Sequence, residues 1–523
     1  MRVSRTVLIN PPSPIGYVSN KDSMGGFGQL FPAGAPPFPP LDLPYLAATL
    51  SAEGFPVAVV EAVALGLTPA AARAAVAAES GDAGTLLVVR TSLPTIDTDL
   101  AFCAELRRHL PSASLVLYGP AVGPLLGHIQ EAGMVDRVIL GEADQPVLDL
   151  ARGLEPAEVP GLAWRDGEEW RQVPARKAER DLDRLPFPRW DLLPIDRYVM
   201  PRSSVSGTMR FLPMLSSRGC PFGCNYCPYP VGQGLLWRHR GAANVVDEVE
   251  HLVRDLGVEF VIFRDPLFSA NKTRVVEICE EIVRRGITVE WRCETRVDCL
   301  DEPTIAAMAR AGCTGVNFGV ESIDPQVQKN AERKPITEAR FLETMDTLRR
   351  HGIATFAFFV VGLPGDTLDT ILRSIRFALR LRPSWVQFTV ATPFIGTRLH
   401  DWAADLGLIA PDHYRIVSSH EGSIGNENLS PGQVHRLHRF AQILQRNVLN
   451  RRGVLKNERR HDLPYRCARS VADALSDLVG RIVFLAGSVA LRATMRGTRR
   501  GAATVTPKAA PRPTPLRAGR VPG

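Results

Sequence analysis

Short apolar runs alternate with stretches of helical period along most of this chain. In the first 150 or so residues the runs are Thr6 to Ile9, Val57 to Val60, Leu86 to Val89, Leu115 to Tyr118 and Val138 to Leu140. Between them, apolar residues recur at helical spacing over Leu43 to Glu53, Pro69 to Ala78, Thr98 to His109 and Asp144 to Arg152, with a weaker stretch near Pro124 to Ala132. A parallel strand needs a crossover, and a helix of this length supplies it. Five such units predict a doubly wound, Rossmann-like parallel sheet over residues 1–152. Such sheets take ligands beyond the C-terminal ends of their strands, here the loops starting at Asn10, Arg90, Gly119 and Gly141.

The first of those loops is long. Pro11 to Pro40 holds Gly25, Gly26 and Gly28 among prolines and the aromatics Phe27, Phe31 and Phe38. A structureless stretch of that length inside a compact unit is usually functional, and a covering loop is expected. Residues 153–205 follow as a connector. Asp166-Gly167 between two short apolar runs signals a hairpin, and the proline-rich Leu185 to Pro194 an extended spacer.

A second series opens at Phe211. Its strands are predicted at Phe211 to Leu215, Phe260 to Phe263, Val289 to Arg292, Gly315 to Phe318, Ala354 to Val361 and Trp385 to Val390. Helices are predicted at Val245 to Leu256, Thr273 to Arg285, Pro303 to Ala311, Glu338 to Gly352 and Thr367 to Leu381. Six units suggest a partial barrel over 206–404 with its chemistry at the C-terminal strand ends. Residues 405–490 read as mainly helical and 491–523 as a basic, disordered tail.

Charge enters the picture through that tail. The net charge is +7. From Leu478 onward there is no Asp or Glu but nine Lys or Arg, which leaves the body near −2. A basic face for nucleic acid is therefore not expected. The apolar run Ile482 to Leu491 is about half the length of a membrane span. It predicts a terminal helix on the body, with peripheral membrane contact as the other reading. MRVSRTVLINPP has no signal-peptide features, and six of the nine cysteines are scattered, so a cytoplasmic protein with reduced thiols is expected.

The other three cysteines carry the chemistry. Cys220, Cys224 and Cys227 stand as CxxxCxxC on a Gly- and Pro-rich turn directly after the first strand of the second series. Three thiolates so placed suit an iron–sulfur cluster. Zinc and unliganded thiols are the rivals, although structural zinc takes four ligands and no Cys or His follows at a suitable local spacing.

CxxxCxΦC after a strand that opens a six-unit series resembles the radical S-adenosylmethionine (SAM) superfamily. The resemblance implies that Cys220, Cys224 and Cys227 hold three irons of a 4Fe–4S cluster and leave the fourth for SAM, whose cleavage gives a 5′-deoxyadenosyl radical. It also places Tyr226 against the adenine and makes Asp265, Arg296, Glu321 and Ser322 contacts to SAM. The segments Gly319-Val320-Glu321-Ser322, Gly362-Leu363-Pro364-Gly365-Asp366 and Thr392-Pro393-Phe394-Ile395-Gly396-Thr397 match the family's later strand ends. The common Gly-Gly-Glu is replaced by Phe263-Arg264-Asp265.

With the first domain included, the chain resembles the cobalamin-binding members of that family. The residues that carry the likeness are Asn10-Pro11-Pro12, Pro40 to Ala48, Tyr118-Gly119-Pro120 and Val138 to Glu142. Ser92, Gly119 and Gly141 are the implied cobalamin contacts, and no Asp-x-His-x-x-Gly motif offers a cobalt ligand. The implied activity is methyl transfer to an unactivated carbon, less often phosphorus, of a small metabolite. The alternative is a cobalamin-using radical cyclase or rearrangement enzyme. An electron donor such as flavodoxin or ferredoxin is the implied partner.

Overall fold

A computed structural model describes residues 3–81, 84–201, 207–409, 424–450 and 463–496, without the side chains of 463–477 and 496. Cys467 and the basic tail from residue 497 lie outside the described side chains.

The first sheet has the strand order β4-β1-β5-β6-β7-β8-β9. Its strands are β1 (Arg5–Asn10), β4 (Val57–Glu61), β5 (Thr85–Arg90), β6 (Ser114–Tyr118), β7 (Arg137–Ile139), β8 (Leu162–Asp166) and β9 (Glu169–Gln172). The first five in sequence are parallel. The connector's hairpin, β8 and β9, continues the same sheet antiparallel to β7. Alternation sorts the side chains: Val7, Ile9, Leu87 and Val89 enter one apolar core, and Leu8, Leu86 and Val88 the other. Helices α2 (Pro69–Glu79) and α3 (Ile96–His109) feed the first core; α1 (Asp42–Ala52) and α5 (Asp144–Ala151) feed the second. The chain leaves β1 in one direction to β4 and in the other to β5, so the switch point lies between β1 and β5.

The long loop after β1 is not structureless. Residues Tyr17–Asn20 (β2) and Gln29–Pro32 (β3) pair as an antiparallel hairpin. Its tip, residues 23–28, lies over the strand ends of the first sheet, and Phe27 is fully buried there.

The second sheet, in the order β10-β11-β14-β15-β16-β17-β18, is a partial barrel. After the antiparallel β10 (Val199–Pro201), six parallel strands follow: β11 (Thr208–Met214), β14 (Phe260–Phe263), β15 (Glu290–Thr295), β16 (Cys313–Glu321), β17 (Ala354–Val361) and β18 (Trp385–Val390). Helices α7 (Ala242–Arg254), α8 (Lys272–Arg284), α9 (Glu302–Arg310), α11 (Glu338–Arg350) and α12 (Leu368–Leu381) cover the outside. Each α-helix except α7 starts on a side-chain cap: Asn271, Asp301, Thr337 and Thr367 accept backbone N–H bonds of the first turn. Strand period two then decides what faces the interior. Val316, Phe318 and Val320 are buried towards the helices, while Asn317, Gly319 and Glu321 turn inward.

The C-terminal region is helical, with α14 (Pro431–Leu444) against β18 and a long C-terminal helix (Leu463–Arg496) on α12 and α14. Within that helix Leu478–Met495 is apolar over 18 residues, mean hydropathy 1.5, longer than the stretch read from the sequence. By length and composition it is able to cross a membrane; here one face packs on the body.

Candidate active site at the strand ends of the partial barrel

The cysteine loop leaves β11 through β12 (Ser217–Arg218). Gly219 has φ +83, and a Cβ there would come within 2.1 Å of the Leu236 carbonyl oxygen, so the turn requires glycine. Cys220 N–H donates to the Gly234 carbonyl (3.2 Å) and Asn225 N–H to that of Ala331 (3.1 Å). The Asn225 amide donates to the Asn330 carbonyl (2.9 Å), and Leu399 N–H to that of Asn225 (3.0 Å). The loop is thus tied to the segments after β16 and β18, on the far side of the barrel mouth.

All three cysteines are partly exposed, free, and line one cavity of about 370 Å³. Burial pushes the Cys220 and Cys227 thiols up. Among the described residues no three His, Cys, Asp or Glu side chains gather where they would hold a single metal ion. The donor set nevertheless suits a cluster, because three thiolates on one loop leave one iron without a protein ligand.

The rest of the lining supports an occupant with its own polar groups. Arg296 is held bidentate by Asp298 (2.9 Å to each oxygen) and lies 4.2 Å from the Phe222 ring, yet its Nη1 is buried without a partner. Asn317 Oδ1 and Arg333 Nε are likewise buried and unpaired. Such orphans are rare, and at a cavity wall they mark where a ligand's groups belong. The volume lies in the range of roughly 300–1,000 Å³ that small-molecule sites occupy.

Glu321 has φ +62, at a bulge in the pairing of β16 with β17. Its carboxylate folds back over Gly319, where a Cβ would come within 2.0 Å of Oε1. A non-glycine residue in that region is strained, and strain held by surrounding structure clusters at functional sites. Burial raises the Glu321 carboxyl, and Arg333 opposes it. Arg333 also donates to Tyr226 Oη (3.4 Å) and to the Gly319 carbonyl (2.6 Å). Tyr226, Glu321 and Arg333 form one cluster beside the cysteines.

Two expected residues are placed elsewhere. Asp265 is fully buried, accepting from Ser216 N–H (2.7 Å) and both the Ser216 and Ser217 hydroxyls. With both oxygens engaged it braces the cysteine loop from below and does not line the cavity. Ser322 is buried, and its hydroxyl accepts from Asp324 N–H (3.3 Å), steadying the turn after β16. Both residues lie just past their strands, where hydrogen bonds to the neighbouring turns hold them while Arg264 and Glu321 line the mouth.

Sequence reasoning missed Arg264, Glu294, Asn317, Arg333, Gln387 and Thr389, all on the cavity wall. Arg264 pairs with Glu294, which also accepts from Tyr229 Oη (3.1 Å). Period two along β16 and β18 was the signal for three of them: Asn317, Gln387 and Thr389 are polar residues between apolar neighbours.

The first sheet's strand ends face the same region from the other side. Gly119 and Gly141 line an interdomain cleft with Arg218, Tyr229 and Arg264. Ser92 does not reach it: its hydroxyl bonds to Thr95 Oγ1 (2.9 Å), and Gly28 sits on it so closely that a Cβ would come within 2.6 Å. Gly26 packs on Pro120 and Gly25 on Tyr229. The switch point itself holds Lys21, whose ammonium donates to Asp99 (2.8 Å) and to the Arg90 carbonyl (2.9 Å). The remaining cleft is about 120 Å³. A corrinoid is larger than the ligands of ordinary pockets, so its lining glycines suit an approaching ring but the cleft does not hold one with the hairpin tip in place.

A six-strand parallel barrel with a three-cysteine loop after its first strand and unpaired polar atoms at its mouth defines a cluster-and-SAM type of site. Residues 214–378 match the radical SAM superfamily model, which makes that part of the chain a radical SAM domain. It is 28% identical to an uncharacterised methyltransferase of Pyrococcus horikoshii over 85% of this chain and 92% of that one. An anaerobic magnesium-protoporphyrin IX monomethyl ester cyclase of Cereibacter sphaeroides is 30% identical over 52% of this chain, but only 45% of that protein is spanned. Among solved structures, the radical SAM methyltransferase TsrM of Kitasatospora setae, with tryptophan and a SAM analogue bound, aligns with TM-score 0.63 and 18% identity, over 96% of this chain and 100% of that one. The cobalamin-dependent radical SAM enzyme OxsB gives TM-score 0.68 at 13% identity, over 95% and 75%. These two likenesses show a shared two-domain fold, sheet and barrel together.

Proposed function

We propose that the chain is a cobalamin-dependent radical SAM methyltransferase acting on an unactivated carbon, less often phosphorus, of a small metabolite. The carrying observation is the cysteine loop opening onto a cavity whose inward polar atoms, Arg296 Nη1, Asn317 Oδ1 and Arg333 Nε, lack partners. The methyltransferase named as such across nearly its whole length supports the reaction class.

In this reading Cys220, Cys224 and Cys227 hold a 4Fe–4S cluster, which when reduced supplies the electron that cleaves SAM. Arg296 binds a carboxylate, since its Nη1 is left free after Nε and Nη2 are taken by Asp298 and the Lys334 carbonyl. Glu321, kept beside Tyr226 by Arg333, takes the cationic or hydroxyl side of the same ligand. Phe358, Val360 and Phe394 keep water from the mouth. The acceptor enters between Tyr229, Glu294 and Arg264, where the cavity meets the interdomain cleft. Residues 1–152 with the following hairpin serve as the corrinoid unit and 206–404 as the radical unit. The electron donor is a flavodoxin- or ferredoxin-type protein of a reducing, cytoplasmic setting.

Incubating the reduced protein, loaded with cluster and cobalamin, with SAM and candidate acceptors tests this. Each methylated product should appear with one S-adenosylhomocysteine and one 5′-deoxyadenosine. Altered acceptor with 5′-deoxyadenosine and no S-adenosylhomocysteine would instead establish cyclisation or rearrangement, the reading the cyclase relatives favour.

A further inference from the structure

The C-terminal helix is apolar on two opposite faces. Its inner face packs on the body: Phe484, Ser488 and Met495 are buried, and Phe484 meets Phe440 with ring centroids 6.3 Å apart. Gly487 admits the Phe440 ring so closely that a Cβ would come within 2.2 Å of it. The outer face carries Leu478, Ile482, Leu485 and Val489, each more than half exposed (54%, 57%, 63% and 60%). Their spacing of four, three and four residues makes one straight stripe. A soluble helix normally puts charge there. Scattered exposed apolar residues mean little, but a continuous ridge marks an interaction surface.

What flanks the ridge selects the partner. Leu485 also borders a hollow of about 750 Å³ lined by Arg349, Arg376, Arg380, Arg382 and Arg481, with Asp346 as its only acid among the described residues. Arg376 lies 5.1 Å from the centroid of the Phe484 ring, which places its charge beside the C-terminal helix. Beyond Arg481 the sequence adds eight further Lys or Arg and no acid. An apolar ridge beside a basic hollow is the layout of a helix lying in the plane of an anionic bilayer: chains take the ridge and phosphates the guanidinium forks. A second copy of the chain would bring two arginine clusters face to face. A nucleic acid would leave the ridge in water.

We propose that this face, Leu478–Val489 with the arginine hollow beside it, docks the protein on a membrane surface rich in anionic phospholipid. The inner-face contacts keep the helix flat, so it lies on the bilayer and does not cross it.

The test is flotation of the full-length, cluster-loaded protein with phosphatidylcholine vesicles with and without phosphatidylglycerol. Binding should require phosphatidylglycerol. Ile482→Glu with Leu485→Glu should weaken it at least tenfold, and Arg376→Gln and Arg481→Gln by about fivefold each. Since these side chains are exposed, the variants should melt like the parent and retain 5′-deoxyadenosine formation. Three results would overturn the proposal: no binding to phosphatidylglycerol vesicles, full binding by the Ile482→Glu/Leu485→Glu variant, or a dimer that this variant dissolves while the parent ignores vesicles. The last would assign the ridge to a second copy.

Discussion

Two parallel sheets in this molecule present their C-terminal strand ends to the same interdomain space, and they do so in opposite states. At the first sheet the chain has filled its own switch point. Lys21 sits on Asp99, Arg90 is paired with Asp22 and Asp42, Asn10 is bonded to Glu61, and the hairpin tip closes over them. At the second sheet the wall is lined by guanidinium, amide and thiol groups, several buried and unpaired. The topology alone would assign a ligand to both. Both ends leave buried polar atoms unpaired, Asn10 Oδ1 and Asp99 Oδ1 at the first and Arg296 Nη1 and Arg333 Nε at the second; what separates them is that the first pairs its charges within the chain under the hairpin tip, while the second opens onto a cavity of about 370 Å³.

Breaking the open end should have the largest effect. Alanine at Cys220, Cys224 or Cys227 should lower bound iron and 5′-deoxyadenosine formation by about 100-fold or more, checked by iron analysis and product quantitation. Circular dichroism should be unchanged, because these thiols sit on a partly exposed loop.

Next comes the closed end. Burial pushes the Lys21 ammonium down and the Asp99 carboxyl up, and each restrains the other. Lys21→Met strands the Asp99 carboxylate and should cost about 3–5 kcal/mol in chemical unfolding. Adding Asp99→Asn should restore most of it. If the single variant costs nothing, the switch point is not held as described.

The same end should make stability depend on pH. Burial raises the Glu61 carboxyl to about 7, well above an exposed glutamate. A group whose pKa is higher folded than unfolded stabilises most below the unfolded value, and that contribution fades as pH rises through the folded one. Stability should therefore fall between about pH 4.5 and pH 7, by up to roughly 3 kcal/mol for a shift of this size. Glu61→Gln should flatten the slope, because the amide does not titrate; it keeps an acceptor for Ala64 N–H, and turning over the Asn10 amide, whose Nδ2 donates to Glu61, brings the unpaired Asn10 Oδ1 to the new donor. Denaturation midpoints across that window measure it.

The smallest effect is the sharpest discriminator. Glu321→Gln and Arg296→Lys should each raise the SAM requirement about tenfold, roughly 1.4 kcal/mol, while the bound iron stays constant. Equal iron and an unchanged SAM requirement would remove both from the ligand site.

Much of this was legible in the residues. Strands at Phe260 to Phe263, Ala354 to Val361 and Trp385 to Val390 stand where the apolar runs predict them, because six βα units with capped helices leave little freedom. The cysteine loop, Tyr226, Arg296 and Glu321 meet at one cavity as their strand-end positions imply. Asp265 and Ser322 do not, since a position at a strand end leaves open which way the side chain turns. The hairpin in the long loop was hidden because its strands are only four residues each and are joined by a tip carrying Gly25, Gly26 and Gly28 in place of a tight two-residue turn. Lys21 was hidden for another reason: a lone lysine in a polar loop reads as solvated, and only the fold brings Asp99 to it.

The most direct measurement is anaerobic purification after iron and sulfide loading, with analysis of both elements and of SAM cleavage under reduction. The account predicts about four irons and four sulfides per chain, with 5′-deoxyadenosine formed by the parent and not by Cys224→Ala. A colourless zinc protein, or iron retained in full by Cys224→Ala, would contradict it.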